Sequence, residues 1–247
     1  MVFFRGENKE SELEQIASVF KPAPPRWGIR VTIESQYLYE LLGSCRDPSF
    51  DEFYSIYEES LPLRERKSKT RISALLSRPD YKTLLLKKNG VVIGFSMLFI
   101  APSELFCLLE YMAIHSAHRN LGLGRELFLR TFQDLVSDGG TLYGLLEVDS
   151  DREQSDDQEL RRRRERFYRR LGCLRIDGLS YLLPLPGDGP PPEMNLMVYL
   201  PHSQPAIPSR QIEQWLKVLY HKVYECSPDD PRIGQMMQCI ADPVKLL

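Results

Sequence analysis

Two rhythms of apolar residues run along this chain. Spacings of three and four predict helices, and short alternating or continuous runs predict strands. Near the start, Leu13, Ile16, Ala17 and Phe20 in NKESELEQIASVF share one helical face, and KPAPPRWG then ends regular structure. QYLYELLGS reads as a strand. DPSFDEFYSIYEESLP reads as a helix capped by Asp47 or Ser49 and closed at Pro62, and RERKSKTRISALLSRP as a second, short helix stopped at Pro79. YKTLLLKK and VVIGFSMLFI flank Asn89–Gly90, a strong two-residue hairpin signal. ELFCLLEYMAI is a nearly continuous apolar strand, expected to be buried on both faces.

Beyond the stretch HRNLGLGREL, Leu123, Leu127, Phe128, Phe132, Leu135 and Val136 make a helical face ended by Gly139–Gly140. LYGLLEVD returns as a strand. An acidic stretch from Asp149 to Glu159 leads into LRRRRERFYRRLG, with Leu160, Phe167, Tyr168 and Leu171 on one face and Gly172 placed as a C-cap. CLRIDGLSYLLP and MNLMVYLP read as two strands joined by the proline-rich LPGDGPPPE. SRQIEQWLKVLYHKVY reads as one amphipathic helix, with Ile212, Trp215, Leu216, Leu219 and Val223 on its apolar side. The order strand, two helices, three strands, helix, strand, helix, two strands predicts an α/β (α+β) domain with a mixed, mostly antiparallel sheet. Residues 1–35 are expected to be an N-terminal extension, 36–201 the domain itself, and 202–247 a C-terminal helical extension.

Composition narrows the classes. The chain has 247 residues, 43% hydrophobic and 27% charged, with a net charge of −2, so no global field argues for nucleic acid or an anionic membrane. Five cysteines, widely spaced and without a C-x-x-C, suggest reduced thiols in a cytoplasm; Cys107 and Cys173 read as small core residues. No apolar run approaches the ~18 residues of a membrane span. The start, MVFFRGENKESELEQ, turns charged too soon for a secretory signal. A soluble cytoplasmic protein is expected. The RRRR run at Arg161–Arg164 follows Asp149, Asp151, Glu153, Asp156, Asp157 and Glu159. Asp157–Arg161 and Glu159–Arg163 are favourable i,i+4 pairs, so a self-neutralised helix is expected rather than a nucleic-acid site.

HRNLGLGREL carries the sharpest chemical signal. The third glycine of a dinucleotide fingerprint is missing, since Leu127 stands there, and no P-loop lysine follows. What remains is R-x-x-G-x-G, made by Arg119, Gly122 and Gly124 at a strand-to-helix junction. Successive N–H groups there can cradle an anion, and glycines let a pyrophosphate approach; a plain tight turn would use the same residues. His115 and His118 are spaced H-x-x-H, but no third ligand lies nearby. They are expected to cap the turn or line the phosphate side, and no metal is expected.

LEYMAIHSAHRNLGLGREL, LLEV and FYRRLG, in that order, resemble the GCN5-related N-acetyltransferase (GNAT) superfamily across roughly Gln36 to Pro201. The acidic insert, arginine-rich helix, proline-rich loop and last amphipathic helix resemble a subgroup of bacterial members with N- and C-terminal extensions. The resemblance implies the GNAT acyl-CoA N-acyltransferase fold, a mixed, mostly antiparallel sheet of about six or seven strands flanked by helices. It also implies that the strand from Leu105 to Ile114 splays from that at Gly144–Val148, with acetyl-CoA or another acyl-CoA in the cleft. Backbone groups of Met112, Ala113 and Ile114 would then hold the pantetheine arm. Those of Asn120, Leu121, Gly122, Leu123, Gly124 and Arg125 would hold the pyrophosphate, with Arg119 at the motif's first position. Tyr168 would protonate the leaving sulfur. Glu110, a lone charge in an apolar run, would be the base, with Glu147 as the fallback.

The implied function is an acyl-CoA-dependent N-acyltransferase, foremost an N-acetyltransferase, acting by direct attack of a small-molecule or peptide amine. Two alternatives stand beside it. One is a fatty-acyl donor, in a tunnel floored by GFSMLFIAPSELFCLL and FDEFYSIYEESLP. The other is a non-catalytic coenzyme A-binding or partner-docking module, whose tail helix with Trp215, Tyr220 and Tyr224 forms a homodimer or partner surface. Asp51, Glu52, Glu58 and Glu59 would suit a cationic amine if they face the cleft, and are otherwise a solvated helix face.

Overall fold

The computed structural model describes residues 36–136, 142–150, 157–184, 193–200 and 206–247. The helix expected around Leu13–Phe20, the Gly139–Gly140 stop, the middle of the acidic insert and the proline-rich loop lie outside the described residues. One eight-stranded sheet runs in the order β1-β2-β3-β4-β5-β8-β6, with β7 also pairing to β8. Its strands are β1 (Tyr37–Leu41), β2 (Tyr81–Lys88), β3 (Val91–Ala101), β4 (Phe106–Ile114), β5 (Tyr143–Asp149), β6 (Cys173–Arg175), β7 (Tyr181–Leu182) and β8 (Glu193–Tyr199). Only β4 and β5 are parallel; the remaining pairings are antiparallel. Asn89 and Gly90 both take positive φ, 52° and 82°, as a two-residue hairpin turn between β2 and β3 requires.

Alternate residues of these strands feed two cores. One face carries Phe95, Met97, Phe99, Phe106, Leu108 and Leu145, packed against α1 (Phe50–Ser60), α2 (Lys69–Leu76) and the tail helices. The other carries Leu84, Leu98, Cys107, Leu109, Leu146 and Met197, packed against α3 (Leu123–Val136); Tyr168 and Leu171, from α4 (Gln158–Arg170) and its end, pack against this second core. The expectation of a strand buried throughout holds for the first half of β4 only. Phe106–Leu109 are buried, whereas Glu110–Ile114 are half-buried, because their neighbour on the β5 side stops pairing with them.

Three elements differ from the periodicity reading. The second helix is shorter than RERKSKTRISALLSRP suggests. Leu63–Glu65 makes a single 3-10 turn, Arg66 to Ser68 run extended, and α2 begins only after Ser68, whose side chain accepts from Arg71 N at 3.2 Å. That extended segment is pinned by Arg66 Nε donating to Leu61 O at 2.6 Å and Lys67 N donating to Tyr57 Oη at 2.7 Å. CLRIDGLSYLLP is two short strands rather than one. After β6 the chain turns aside to meet its own C-terminus: Arg175 N donates to Leu247 O at 2.8 Å, and Leu247 N to Arg175 O at 2.9 Å. The tail helix is α-helical as α5 (Ser209–Val218) and then widens into a π-helical turn over Leu219–Val223, followed by α6 (Pro231–Met237).

Candidate active site

A β-bulge and a broken ladder create the site. Between β3 and β4 the register runs Met97↔Tyr111 and then Leu98↔Leu109, so Glu110 is the inserted residue. A bulge places two consecutive side chains on one face, and Lys67 Nζ meets both: it ion-pairs with the Glu110 carboxylate and donates to Tyr111 Oη at 2.9 Å. The parallel β4–β5 ladder ends one step earlier, at Leu109↔Leu146. Glu110 and Glu147 are the first residues beyond that last pair. From there β4 pairs only with β3 and β5 only with β8, and each keeps an unpaired edge towards the gap.

The gap opens into a cavity of about 830 Å³. It is lined by Glu110, Met112, Ala113, Glu147 and Tyr168, together with Lys67, Tyr111 and Tyr224, which the sequence reading had not singled out for this site. Glu147 is half-buried in the cavity wall. Tyr181 Oη donates to its Oε1 and Tyr224 Oη to its Oε2. Burial raises its pKa to about 7, and the charge of Glu110 adds to that rise. The two phenols and Lys67 act in the opposite sense. The Glu110 side chain is 3% exposed, its charge is matched by Lys67, and its Oε2 has no hydrogen-bond partner among the described residues. Tyr168 packs edge-on against Phe167 and tilted against Phe128, and its phenol has no hydrogen-bond partner among the described residues. Burial pushes that phenol up to about 12, with the Arg164 charge pulling slightly the other way. It therefore stays protonated at neutral pH.

The remaining expected binding residues form a second cluster at the end of β4. Asn120 and Gly122 both adopt left-handed backbone, with φ of 63° and 79°. The N–H groups of Asn120 to Gly124 make no backbone hydrogen bond among the described residues, and α3 starts at Leu123. Arg125 is exposed at the same helix start. Arg119 is turned back: its Nε donates to Ile114 O at 2.9 Å and its Nη2 lies 3.9 Å from Glu59. A Cβ at Gly124 would lie 3.6 Å from Phe167 and 4.0 Å from Ile114, so the start of α3 rests on both α4 and the end of β4. His115 caps its own turn, its Nδ1 accepting from Ala117 N at 3.3 Å.

Of the acidic residues on the first helix, only Glu59 lines the cavity. The Ser116 side chain and backbone hold its carboxyl below the usual range, helped by His115 and Arg119. Asp51 pairs with Lys69 at 2.7 Å, and Glu52 accepts from Val92 N at 2.8 Å. The arginine-rich helix is neutralised by its neighbours: Arg161–Asp157 at 3.0 Å, Arg163–Glu159 at 3.3 Å, and an Arg164–Asp149 ion pair. Cys107 and Cys173 are buried, and burial pushes both thiols up to about 12. Trp215 and Tyr220 are fully buried, so the tail face drawn as a partner surface belongs instead to the core. Trp215 Nε1 donates to Glu104 O at 2.9 Å. No helix among the described residues is long and apolar enough to cross a membrane.

Known proteins were compared once this geometry was in hand. The model of the acetyltransferase (GNAT) family matches residues 47–173, just over half of the chain. No curated protein sequence matches. Among solved structures, a GNAT-family protein from Bacteroides thetaiotaomicron superposes with a TM-score of 0.60 at 22% identity, covering 75% of this chain and 97% of that one. An aminoglycoside 6'-N-acetyltransferase complexed with coenzyme A gives 0.50 at 17% identity, covering 67% and 99%. A GNAT-family protein from Desulfovibrio desulfuricans gives 0.50 at 15% identity, covering 66% and 98%. At these identities the likeness is one of fold.

Proposed function

We propose, since the chain belongs to the GNAT acetyltransferase family, that it moves an acetyl group from acetyl-CoA to a primary amine by direct attack in the β4–β5 gap. The observation that carries this reading is the broken ladder itself, which sets a half-buried carboxylate of raised pKa, and a phenol without a hydrogen-bond partner among the described residues, around one cavity. The coenzyme supplies an activated acyl thioester when bound. The unpaired β4 edge at Met112, Ala113 and Ile114 suits an extended amide-bearing arm, which would add like a strand. The N–H groups of Asn120 to Gly124, which make no backbone hydrogen bond among the described residues, suit a pyrophosphate, with Arg125 beside them. Arg119 serves this loop by fastening it to Ile114 rather than by reaching outwards.

Two carboxylates divide the work on the acceptor side. Glu147, with a pKa of about 7, is matched to taking a proton from an amine at neutral pH. Glu110 is committed to Lys67 and sets the charge of the wall that the acceptor meets. Tyr168 gives its proton to the departing sulfur. A short acyl group fits better than a fatty one, because the aromatic residues offered as a tunnel floor fill one another's space. Phe53 and Phe95 are in edge contact at 4.8 Å, and Phe99, Phe106 and Trp215 continue the same cluster. Calorimetry with acetyl-, octanoyl- and palmitoyl-CoA, followed by a thiol-release assay over a panel of amines, tests this. Acetyl-CoA is expected to bind and to be turned over. Binding of the palmitoyl donor alone, or of none, would overturn it.

A further inference from the structure

Lys67 is out of place for a structural residue. Its side chain is 19% exposed, its partner Glu110 is 3% exposed, and both line the reaction cavity. A buried ion pair seldom gains net stability, because desolvating both charges costs about as much as their attraction returns. An apolar pair would close this wall at least as well. Yet the chain spends several contacts on delivering this one amine. Tyr57 Oη accepts from the Lys67 backbone N–H at 2.7 Å, the preceding Arg66 is itself anchored by its Nε donating to Leu61 O, and Tyr111 Oη accepts from Nζ at 2.9 Å. The Nζ also lies 5.2 Å from the Tyr111 ring centre and 6.0 Å from that of Tyr224, a setting that favours a cation. Among the described residues that line the cavity, Lys67 is the only lysine.

We infer that Lys67 is an internal acyl acceptor: acetyl-CoA held in this cleft acetylates Lys67 Nζ of the same molecule. The inference rests on the acetyl-transfer reading of the cleft. Nζ first gives a proton to the Glu110 carboxylate it already touches, which turns the ion pair into a neutral pair. The amine lone pair then forms the C–N bond at the thioester carbonyl as the C–S bond breaks. Tyr168 protonates the leaving thiolate and is reprotonated by the second proton that the nitrogen loses. The products are N-acetyl-Lys67, free coenzyme A and the first proton, which Glu110 holds and then releases to solvent. An amine fixed in the cavity needs no encounter with an acceptor, and such fixation is worth many orders of magnitude in effective concentration. Acetylation cancels the Lys67 charge and leaves Glu110 without a counter-ion, so the modified enzyme presents a different acceptor wall.

The test is a peptide map. Purified full-length protein is incubated with acetyl-CoA and no added amine, and every lysine is scored by mass spectrometry. Lys67 is expected to be acetylated at least about tenfold faster than any other lysine, at a rate per molecule independent of protein concentration. In urea-unfolded protein that preference is expected to vanish. Lys67→Arg, with no lysine in the cavity, should still show the acetyl-CoA binding heat while taking up no label at that position. Protein that binds acetyl-CoA and acetylates a free amine but leaves Lys67 unmodified overturns the inference and spares the reading of the cleft. So does label spread evenly over surface lysines, or a rate proportional to protein concentration. Protein that neither binds nor turns over acetyl-CoA overturns both. The wild-type map decides the matter even if the variant fails to fold.

Discussion

Glu147 accepts hydrogen bonds from two phenols, and burial, outweighing those bonds and the Lys67 charge, lifts its pKa from an ordinary 4.5 to about 7. In the proposed base role its ionised form takes the proton, so kcat is expected to rise with pH through about 7 and level off above. Tyr224→Phe removes a donor that favours the carboxylate, so the same rise should move to higher pH in a stopped-time thiol assay. An unmoved profile would mean that another group titrates. Stability carries the opposite slope. The folded state holds the proton more tightly than the unfolded chain, so stability falls as pH climbs from about 4.5 to about 7, by on the order of a few kcal/mol, and is flat beyond. Glu147→Gln abolishes that slope, and its melting temperature should exceed that of the wild type at about pH 8 while matching it near pH 5. Its kcat should fall about a hundredfold or more. The two glycines of the motif separate in the same residue-by-residue way. Gly122 has φ of 79°, so Gly122→Ala strains the loop by about 1 kcal/mol and should weaken acetyl-CoA binding in calorimetry. At Gly124 an added methyl meets Phe167 at an ordinary 3.6 Å, and Gly124→Ala should bind almost as the wild type does.

Elements were legible where a single period ran unbroken, and illegible where contacts distant in sequence interrupted it. The Asn-Gly hairpin, α1, the start of α3 and the FYRRLG helix follow directly from local pattern. The bulge at Glu110 does not, because LLEYMAI reads equally well as a regular strand and only pairing with Met97 and Leu98 reveals the extra residue. Since that residue is the one that brings Glu110 and Tyr111 onto a common face, the site's geometry was hidden even though Glu110 and Tyr168 stood out as residues. Lys67 lies in KSKT, a basic run that resembles any solvated stretch. Tyr181 gave no signal and Tyr224 read only as part of a tail surface, because their partner Glu147 lies 34 and 77 positions away. In the tail the apolar face of α5 was readable, but what it covers was not. Trp215 packs against Phe106 and Tyr143, with ring centres 6.1 and 4.8 Å apart. Trp215→Ala should therefore cost about 3–5 kcal/mol, read as a lower urea midpoint; a loss below 1 kcal/mol would place the tail outside the cooperative core.

At the scale of the whole molecule, the cleft is a joint product of segments that meet only through the fold. The extended Arg66–Ser68 segment brings Lys67, the bulge of β4 brings Glu110, and β5 brings Glu147. The arginine-rich helix brings Tyr168, and the turn after the tail's π-helical segment brings Tyr224. Arg71 and Glu225 close an ion pair across the cavity lining, between α2 and the tail. The tail also buries Ile207, Ile212, Trp215, Leu216, Leu219 and Tyr220 in the core that supports α1. Catalysis and stability should therefore fail together when it is removed. A chain stopped before Ala206 is expected to lose its cooperative thermal transition. The full chain should melt cooperatively and gain about 2.7 kcal/mol from acetyl-CoA at a hundred times its dissociation constant. Scanning calorimetry of both chains, with and without acetyl-CoA, reads these quantities directly. A truncated chain that melts sharply and is stabilised by acetyl-CoA as fully as the intact one would show the tail to be dispensable to acetyl-CoA binding. Its remaining role would then be confined to the Tyr224 hydrogen bond on Glu147.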